Sequence, residues 1–146
     1  MASGILITKF NGSKEEVEFL KNGESESFNT NLPSRNFDEK WLRLRIEGFC
    51  NLSHTIYFLI KHGEKVGYII FSIKFSGYAW VESLFISNKF RGQGYAELLI
   101  KELKSDENIS KIGLNVFIRN ETALKLYKKL GFEVCSMKME YQCEND

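Results

Sequence analysis

A strand-like run, a basic glycine-rich turn and an amphipathic helix follow one another without a break between Val81 and Ala96, and that order leaves few folds open. The first N–H groups of a helix lack intrahelical partners and carry the positive end of its dipole, so the arrangement builds an anion site out of backbone. Gly92 and Gly94 remove side chains that would hold an anion away from those amides, and Arg91 adds a fixed charge beside them. With Gln93, Tyr95 and Ala96 they form a candidate cradle for a pyrophosphate. The turn is not a Walker A loop, because no Gly-Lys-Ser or Gly-Lys-Thr closes it. Nor is it a dinucleotide fingerprint, because Glu97 stands where a small residue is required.

The remaining pattern is a mixture of strands and helices. Residues 4–10 alternate and read as a first strand; Ser13 caps a short helix over 14–20. Residues 22–36, rich in Asn and Ser and holding Gly23 and Pro33, read as a long loop. A helix is expected to start near Asn36 or Phe37, with Asp38 and Glu39 at its positive end. Residues 54–60 and 65–74 read as strands joined at His62-Gly63-Glu64. Residues 78–86 form the strand that feeds the glycine turn, and Ala96, Leu99, Ile100 and Leu103 stripe the next helix. Residues 112–118 form another strand. Asn120 caps a last helix with Ala123, Leu126, Tyr127 and Leu130 on one face and Gly131 at its end. Residues 132–141 are expected to close the fold as a strand.

Bulk properties narrow the function classes. The length of 146 residues suits a single domain over 1–146 with a real core. Twenty Lys and Arg oppose nineteen Asp and Glu, a balance that gives no reason to expect a nucleic-acid or anionic-membrane partner. Cys50, Cys135 and Cys143 make no metal-ligand spacing with His54 or His62, so no metal is expected. An odd number of cysteines, with no apolar leader and no membrane-length run, is the pattern of a reduced, cytoplasmic protein.

Two motifs together carry a family resemblance. Arg91-x-x-Gly94-x-Ala96 is similar to the acyl-CoA-binding signature of the GNAT superfamily of N-acyltransferases. Residues 114–132 resemble that superfamily's next element, a strand followed by Asn120-x-x-Ala123-x-x-Leu126-Tyr127-x-x-Leu130-Gly131-Phe132. The resemblance implies an α/β (α+β) fold with a mixed central sheet of about six to seven strands and helices on both sides, matching the order read above. It also implies acetyl-CoA as co-substrate. The strands holding Leu84 and Val116 would be splayed neighbours. The backbone of Leu84 and Ile86 would pair with the pantetheine arm, and an N–H near Phe85 would face the oxyanion.

Acyl transfer from a thioester to an amine must remove a proton from the amine, stabilise an oxyanion and protonate the leaving sulfur. Glu82 is the candidate base. It is the only charged residue in the apolar run 78–86, where desolvation makes a carboxylate a better proton acceptor. Many GNAT members place a glutamate at about this point; others carry it in the next strand, where this chain has Asn115. Tyr127 falls on the buried stripe of its helix, and the resemblance makes it the proton donor to the coenzyme sulfur. Asn120 is both a helix cap and, by resemblance, a contact to the cofactor site. No cysteine sits in a nucleophile-like context, which favours direct attack in a ternary complex.

The acceptor, a small-molecule or peptide amine, is the open part. Glu24, Glu26, Asp38 and Glu39 could attract a cation, and Phe28, Phe37 and Trp41 could pack against an apolar body. Two alternatives to an enzyme remain. One is a non-catalytic acyl-CoA sensor. The other is a self-association module using Tyr57, Phe58, Tyr68, Phe71 and Phe75, and a homodimer is also compatible with catalysis.

Overall fold

In a computed structural model that describes residues 4–32, 38–51 and 53–144, the chain falls into two compact units, Met1–Asn115 and Val116–Asp146. The first holds β1 (Ile5–Lys9), α1 (Lys14–Asn31), α2 (Glu39–Phe49), β2 (Thr55–Lys61), β3 (Glu64–Phe75), β4 (Tyr78–Ile86), a short 3-10 turn (Asn88–Phe90), α3 (Tyr95–Lys104) and β5 (Lys111–Leu114). The second holds α4 (Glu121–Lys129). Among the described residues one sheet runs β1-β2-β3-β4-β5, antiparallel throughout except for the parallel β4–β5 pair.

The strand pleat sends alternate residues to opposite faces. Ile56, Phe58, Tyr68, Ile70 and Phe85 form one core with Leu20 of α1 and with Ile46 and Phe49 of α2. The intervening Leu59, Ile69 and Phe71 are buried on the other face, where α3 packs against β2, β3 and β4. Leu99, Ile100 and Leu103 supply its buried stripe, with Tyr95 buried more deeply than the expected Ala96. Helices thus cover both faces, as expected. The β2–β3 hairpin closes with His62 at φ 49° and Gly63 at φ 80°; left-handed backbone at both positions gives the turn a twist that matches its strands.

Four sequence expectations need correction. The helix expected over 14–20 continues to Asn31, so most of the loop expected over 22–36 is helix; Pro33 and Asn36 lie outside the described residues. Gly23 in its middle reads locally as a helix breaker. Its missing side chain lets α1 lie on the sheet: a Cβ there would stand 2.7 Å from Tyr68 Cε2 and 2.9 Å from Phe85 Cδ2. Tertiary packing, not propensity, keeps this helix going. The helix expected from Asn36 or Phe37 begins at Glu39, with the Asp38 carboxylate accepting from the N–H groups of Lys40 and Trp41; Asn36 and Phe37 themselves are outside the described residues.

The strand expected over 112–118 stops at Leu114, and residues 132–141 form no strand, so the sheet has five strands among the described residues rather than six or seven. A strand exists only where a neighbour exchanges backbone hydrogen bonds with it. The β4–β5 ladder ends at Val81↔Leu114, and Val134, Met137, Met139 and Tyr141 are exposed. Their alternation supplies a strand pattern without the pairing that would make one.

Helix α4 begins and ends where its sequence predicts. The Asn120 side chain accepts from Ala123 N–H at 3.1 Å and caps α4. At the other end Gly131 has φ 99°; its N–H donates to Lys128 C=O, and Phe132 N–H donates to Tyr127 C=O. These two bonds make a Schellman cap, and its hydrophobic contact is the Tyr127–Phe132 ring pair, centroids 5.5 Å apart.

Candidate active site

The glycine turn is open backbone. Gly92 and Gly94 take φ values of 76° and 84°, and a Cβ at either would meet nothing within 4 Å. Gly94 is the N-cap of α3, and no side chain caps the helix, so its first-turn amides meet no competing acceptor from that position. Residues 91–94 are exposed, whereas Tyr95 turns into the core and packs against Phe90 with ring centroids 6.2 Å apart. Uncapped amides, left-handed glycines and an adjacent guanidinium form a donor set that fits a diphosphate. Arg91 already holds two partners: its Nε donates to Ile86 C=O at 2.9 Å and its Nη2 to Glu26 at 2.8 Å.

The strand that leads into this turn is interrupted where chemistry is expected. On β3, Ile70 pairs with Ser83 and its neighbour Phe71 pairs with Val81, so Glu82 is an extra residue in a β-bulge. The parallel ladder to β5 ends at Val81. From Glu82 onward β4 keeps β3 as its only strand neighbour among the described residues, leaving one backbone edge of Leu84, Phe85 and Ile86 without a ladder. The Phe85 ring is buried, and Leu84 and Ile86 are half-buried.

Glu82 is half-buried on the bulge, with its Oε1 3.8 Å from His54 Nε2 and 3.9 Å from Lys74 Nζ. Sequence reading found no partner for His54 at ligand spacing; the bulge on β4 and the residue just before β2 bring the two together. The carboxylate therefore lies between two basic groups, not in a wholly apolar sleeve.

The residue that sequence reading misplaced is Glu24. Its sequence context is that of a loop charge suited to drawing in an amine, yet it lies within α1 with its side chain only 2% exposed. Arg45 Nε donates to its Oε1 at 2.8 Å, and the Tyr68 and Ser83 hydroxyls both donate to Oε2, at 2.5 and 2.7 Å. Burial first, then the Glu24 charge, pushes the Tyr68 phenol well above its ordinary range, so it stays a donor. Arg45 in turn lies over the rings of Phe49, at 4.6 Å, and Trp41, at 5.5 Å. Of the other expected acceptor-wall groups, Glu26 meets Arg91, Asp38 caps α2, and Phe28 packs on Trp41 with ring centroids 5.0 Å apart, while Glu39 is exposed in the first turn of α2. Phe37 lies outside the described residues. The aromatic surface offered for self-association is mostly core: Phe58, Tyr68 and Phe71 are buried, Tyr57 is half-buried, and only Phe75 is exposed.

Within the second unit, Tyr127 lies on α4 and Asn120 is that helix's N-cap. Burial pushes the Tyr127 phenol up to about 12, which keeps it protonated through the neutral range. Glu82 and the residues from Leu84 to Ala96 are grouped in the first unit. Among the described residues no cluster of three or more His, Cys, Asp or Glu side chains could hold a metal, and no helix is long and apolar enough to cross a membrane.

Residues 18–132 match the acetyltransferase (GNAT) family, a stretch that begins in the first unit and ends in the second. The uncharacterized N-acetyltransferase YdgE of Bacillus subtilis (strain 168) is 36% identical over 69 residues, which make up 44% of this chain and 43% of that relative's length. Among solved structures, a protein described as "a possible acetyltransferase" from Clostridium difficile 630 superposes with a TM-score of 0.74 at 17% identity, over 97% of this chain and 99% of that one. AAC(6′)-Iy, in complex with the bisubstrate analog CoA-S-monomethyl-acetylneamine, gives 0.71 at 17% identity, over 98% and 100%. At such identities these two structures speak for the fold.

Proposed function

The chain belongs to the acetyltransferase (GNAT) family, and on that premise we propose that it moves an acetyl group from acetyl-CoA to a primary amine, by direct attack in a ternary complex. The observation that carries this reading is the ladder of β4: among the described residues it loses β5 at Val81, bulges at Glu82, and runs with one edge unladdered into the open glycine turn. The reading takes residues 1–146 as one working domain, since the family match runs across the boundary between the two units.

Bound acetyl-CoA supplies a thioester, whose acyl carbon is open to attack by a neutral amine. The amides from Arg91 to Ala96, with Gly92, Gln93, Gly94 and Tyr95 between them, hold the pyrophosphate, and the Arg91 guanidinium exchanges Glu26 for it. The free edge at Leu84 and Ile86 pairs with the amide-bearing arm, and the N–H near Phe85 serves the oxyanion. Glu82 takes the proton of the attacking amine. Tyr127, still protonated well above neutral pH, keeps a proton for the departing sulfur. Asn120 fixes the start of the Tyr127 helix and contributes a cofactor contact. Direct attack is preferred to an acyl-enzyme because no cysteine lies in a nucleophile-like sequence context, and burial pushes the Cys50 thiol up, away from the reactive thiolate. The acceptor is an amine on a small molecule or peptide, as an aminoglycoside N-acetyltransferase among the structural neighbours illustrates.

A second reading, an acyl-CoA binder without turnover, is favoured by one observation: Lys74 and His54 beside Glu82 suit a carboxylate kept for structure. The test is the unfolding midpoint with acetyl-CoA against adenosine 3′,5′-bisphosphate, followed by thiol release with amine acceptors. Ligand at about a hundred times its Kd adds roughly 2.7 kcal/mol, or about 5–10 °C for a domain of this size. A shift with acetyl-CoA above the control, together with amine-dependent thiol release, supports the enzyme. A shift without release supports the binder. No shift removes both readings.

A further inference from the structure

Outside the proposed catalytic groups, the Glu24 carboxylate receives three side-chain hydrogen bonds, and its partners tie three elements to the bulged strand. Its Oε2 receives hydroxyls from neighbouring strands, Tyr68 on β3 and Ser83 on β4, while its Oε1 receives Arg45 from α2. Ser83 is the residue directly after Glu82, at the point where the β3–β4 register jumps. A bulge loosens the ladder locally, and this is where β4 has also lost β5. The side-chain bond from Ser83 to Glu24 replaces backbone restraint at the position where backbone restraint is missing. Gly23 makes the bond reachable, because any Cβ there would collide with Tyr68 and lift α1 off the sheet.

We propose that Glu24 is a positioning residue: acting through Ser83, it holds the bulged stretch of β4 in the one geometry that aims Glu82 and the Phe85 N–H at the reacting groups. The catalytic consequence rests on the acyltransferase reading above; the tether itself does not. Glu24 touches no reacting atom. Its work is to keep β4 from sampling alternative registers at the bulge, so its loss lowers turnover more than it weakens cofactor binding, to which the glycine turn, several residues further on, still contributes.

Ser83→Ala tests this with the fold kept, because Glu24 retains Tyr68 and Arg45. Hydrogen exchange of the peptide covering residues 82–86 is read beside that of β1 and β2, together with kcat and the acetyl-CoA KM. The expected result is exchange about tenfold faster in the β4 peptide alone and kcat about tenfold lower with a smaller rise in acetyl-CoA KM, the scale of one hydrogen bond to a charged group. Ser83→Thr, which keeps the hydroxyl, restores both. Wild-type exchange in Ser83→Ala, or exchange that rises equally in every strand, overturns the proposal. So does a local rise in exchange with kcat unchanged. Were the wild-type protein to release no thiol with any amine, the acyltransferase reading would fall and the positioning role with it, while the exchange data would still decide whether the tether exists.

Discussion

The Glu26 carboxylate meets the Arg91 guanidinium at 2.8 Å, tying α1 to the glycine turn. The cation of the proposed pyrophosphate cradle is therefore shared with an internal anion, and a diphosphate must take it over. Both side chains are more than 40% exposed, so the pair contributes at most about 1 kcal/mol and weakens with salt. Glu26→Gln is expected to tighten acetyl-CoA binding about two- to fivefold at low ionic strength, an advantage that fades at high salt. A titration series at several salt concentrations checks it, and weaker binding in the variant would contradict the shared-cation picture.

Gly94→Glu places a bulky anion where the pyrophosphate would sit and is expected to abolish cofactor affinity. Its backbone strain has a control in Gly12→Glu, since Gly12 has a similar φ of 81° and equally open surroundings, outside the glycine turn. Both substitutions should cost about 1–2 kcal/mol in stability, but only the first should erase the acetyl-CoA thermal shift.

Tyr127→Phe is expected to lower turnover far more than coenzyme affinity, and equal turnover would remove it as the acid. The same phenol has a pH signature in stability. Its pKa is near 10 unfolded and about 12 folded, so between those values the unfolded chain has lost a proton that the native state still holds. Native stability must then fall as pH rises from about 10 to 12, by about 2–3 kcal/mol from this group. Tyr127→Phe should flatten that part of a denaturation-versus-pH curve.

Glu82→Gln should depress the rate most near neutral pH, where the amine carries a proton to be removed, and less at alkaline pH, where the amine is already free. A wild-type-to-variant ratio that stays constant across pH would assign Glu82 a structural role with Lys74 and His54.

Gly23→Ala raises helix propensity by about 1 kcal/mol, yet it is expected to destabilise the protein by about 1–3 kcal/mol through overpacking against Tyr68 and Phe85. Chemical denaturation measures the net effect; a stabilised variant would show that α1 does not lie on the sheet as described.

Local grammar made much of this protein legible in advance. The Asn120 cap, the Gly131 Schellman cap and the β4-to-α3 turn were readable because each rests on bonds among residues a few positions apart, with glycines where φ is positive. The strand Tyr78–Ile86 was readable at its observed boundaries as an apolar run leading into the glycine turn. What the sequence could not carry depends on partners far along the chain. Helix α1 runs through Gly23 because Tyr68 and Phe85 occupy the space a side chain would need. Glu24, which looks like a loop charge among polar neighbours, is buried because Arg45, Tyr68 and Ser83 arrive from 21, 44 and 59 residues away. Residues 132–141 have a strand's alternation and no strand's pairing. Caps and turns are decided by neighbours in sequence; burial of a charge, persistence of a weak helix and strand pairing are decided by neighbours in space.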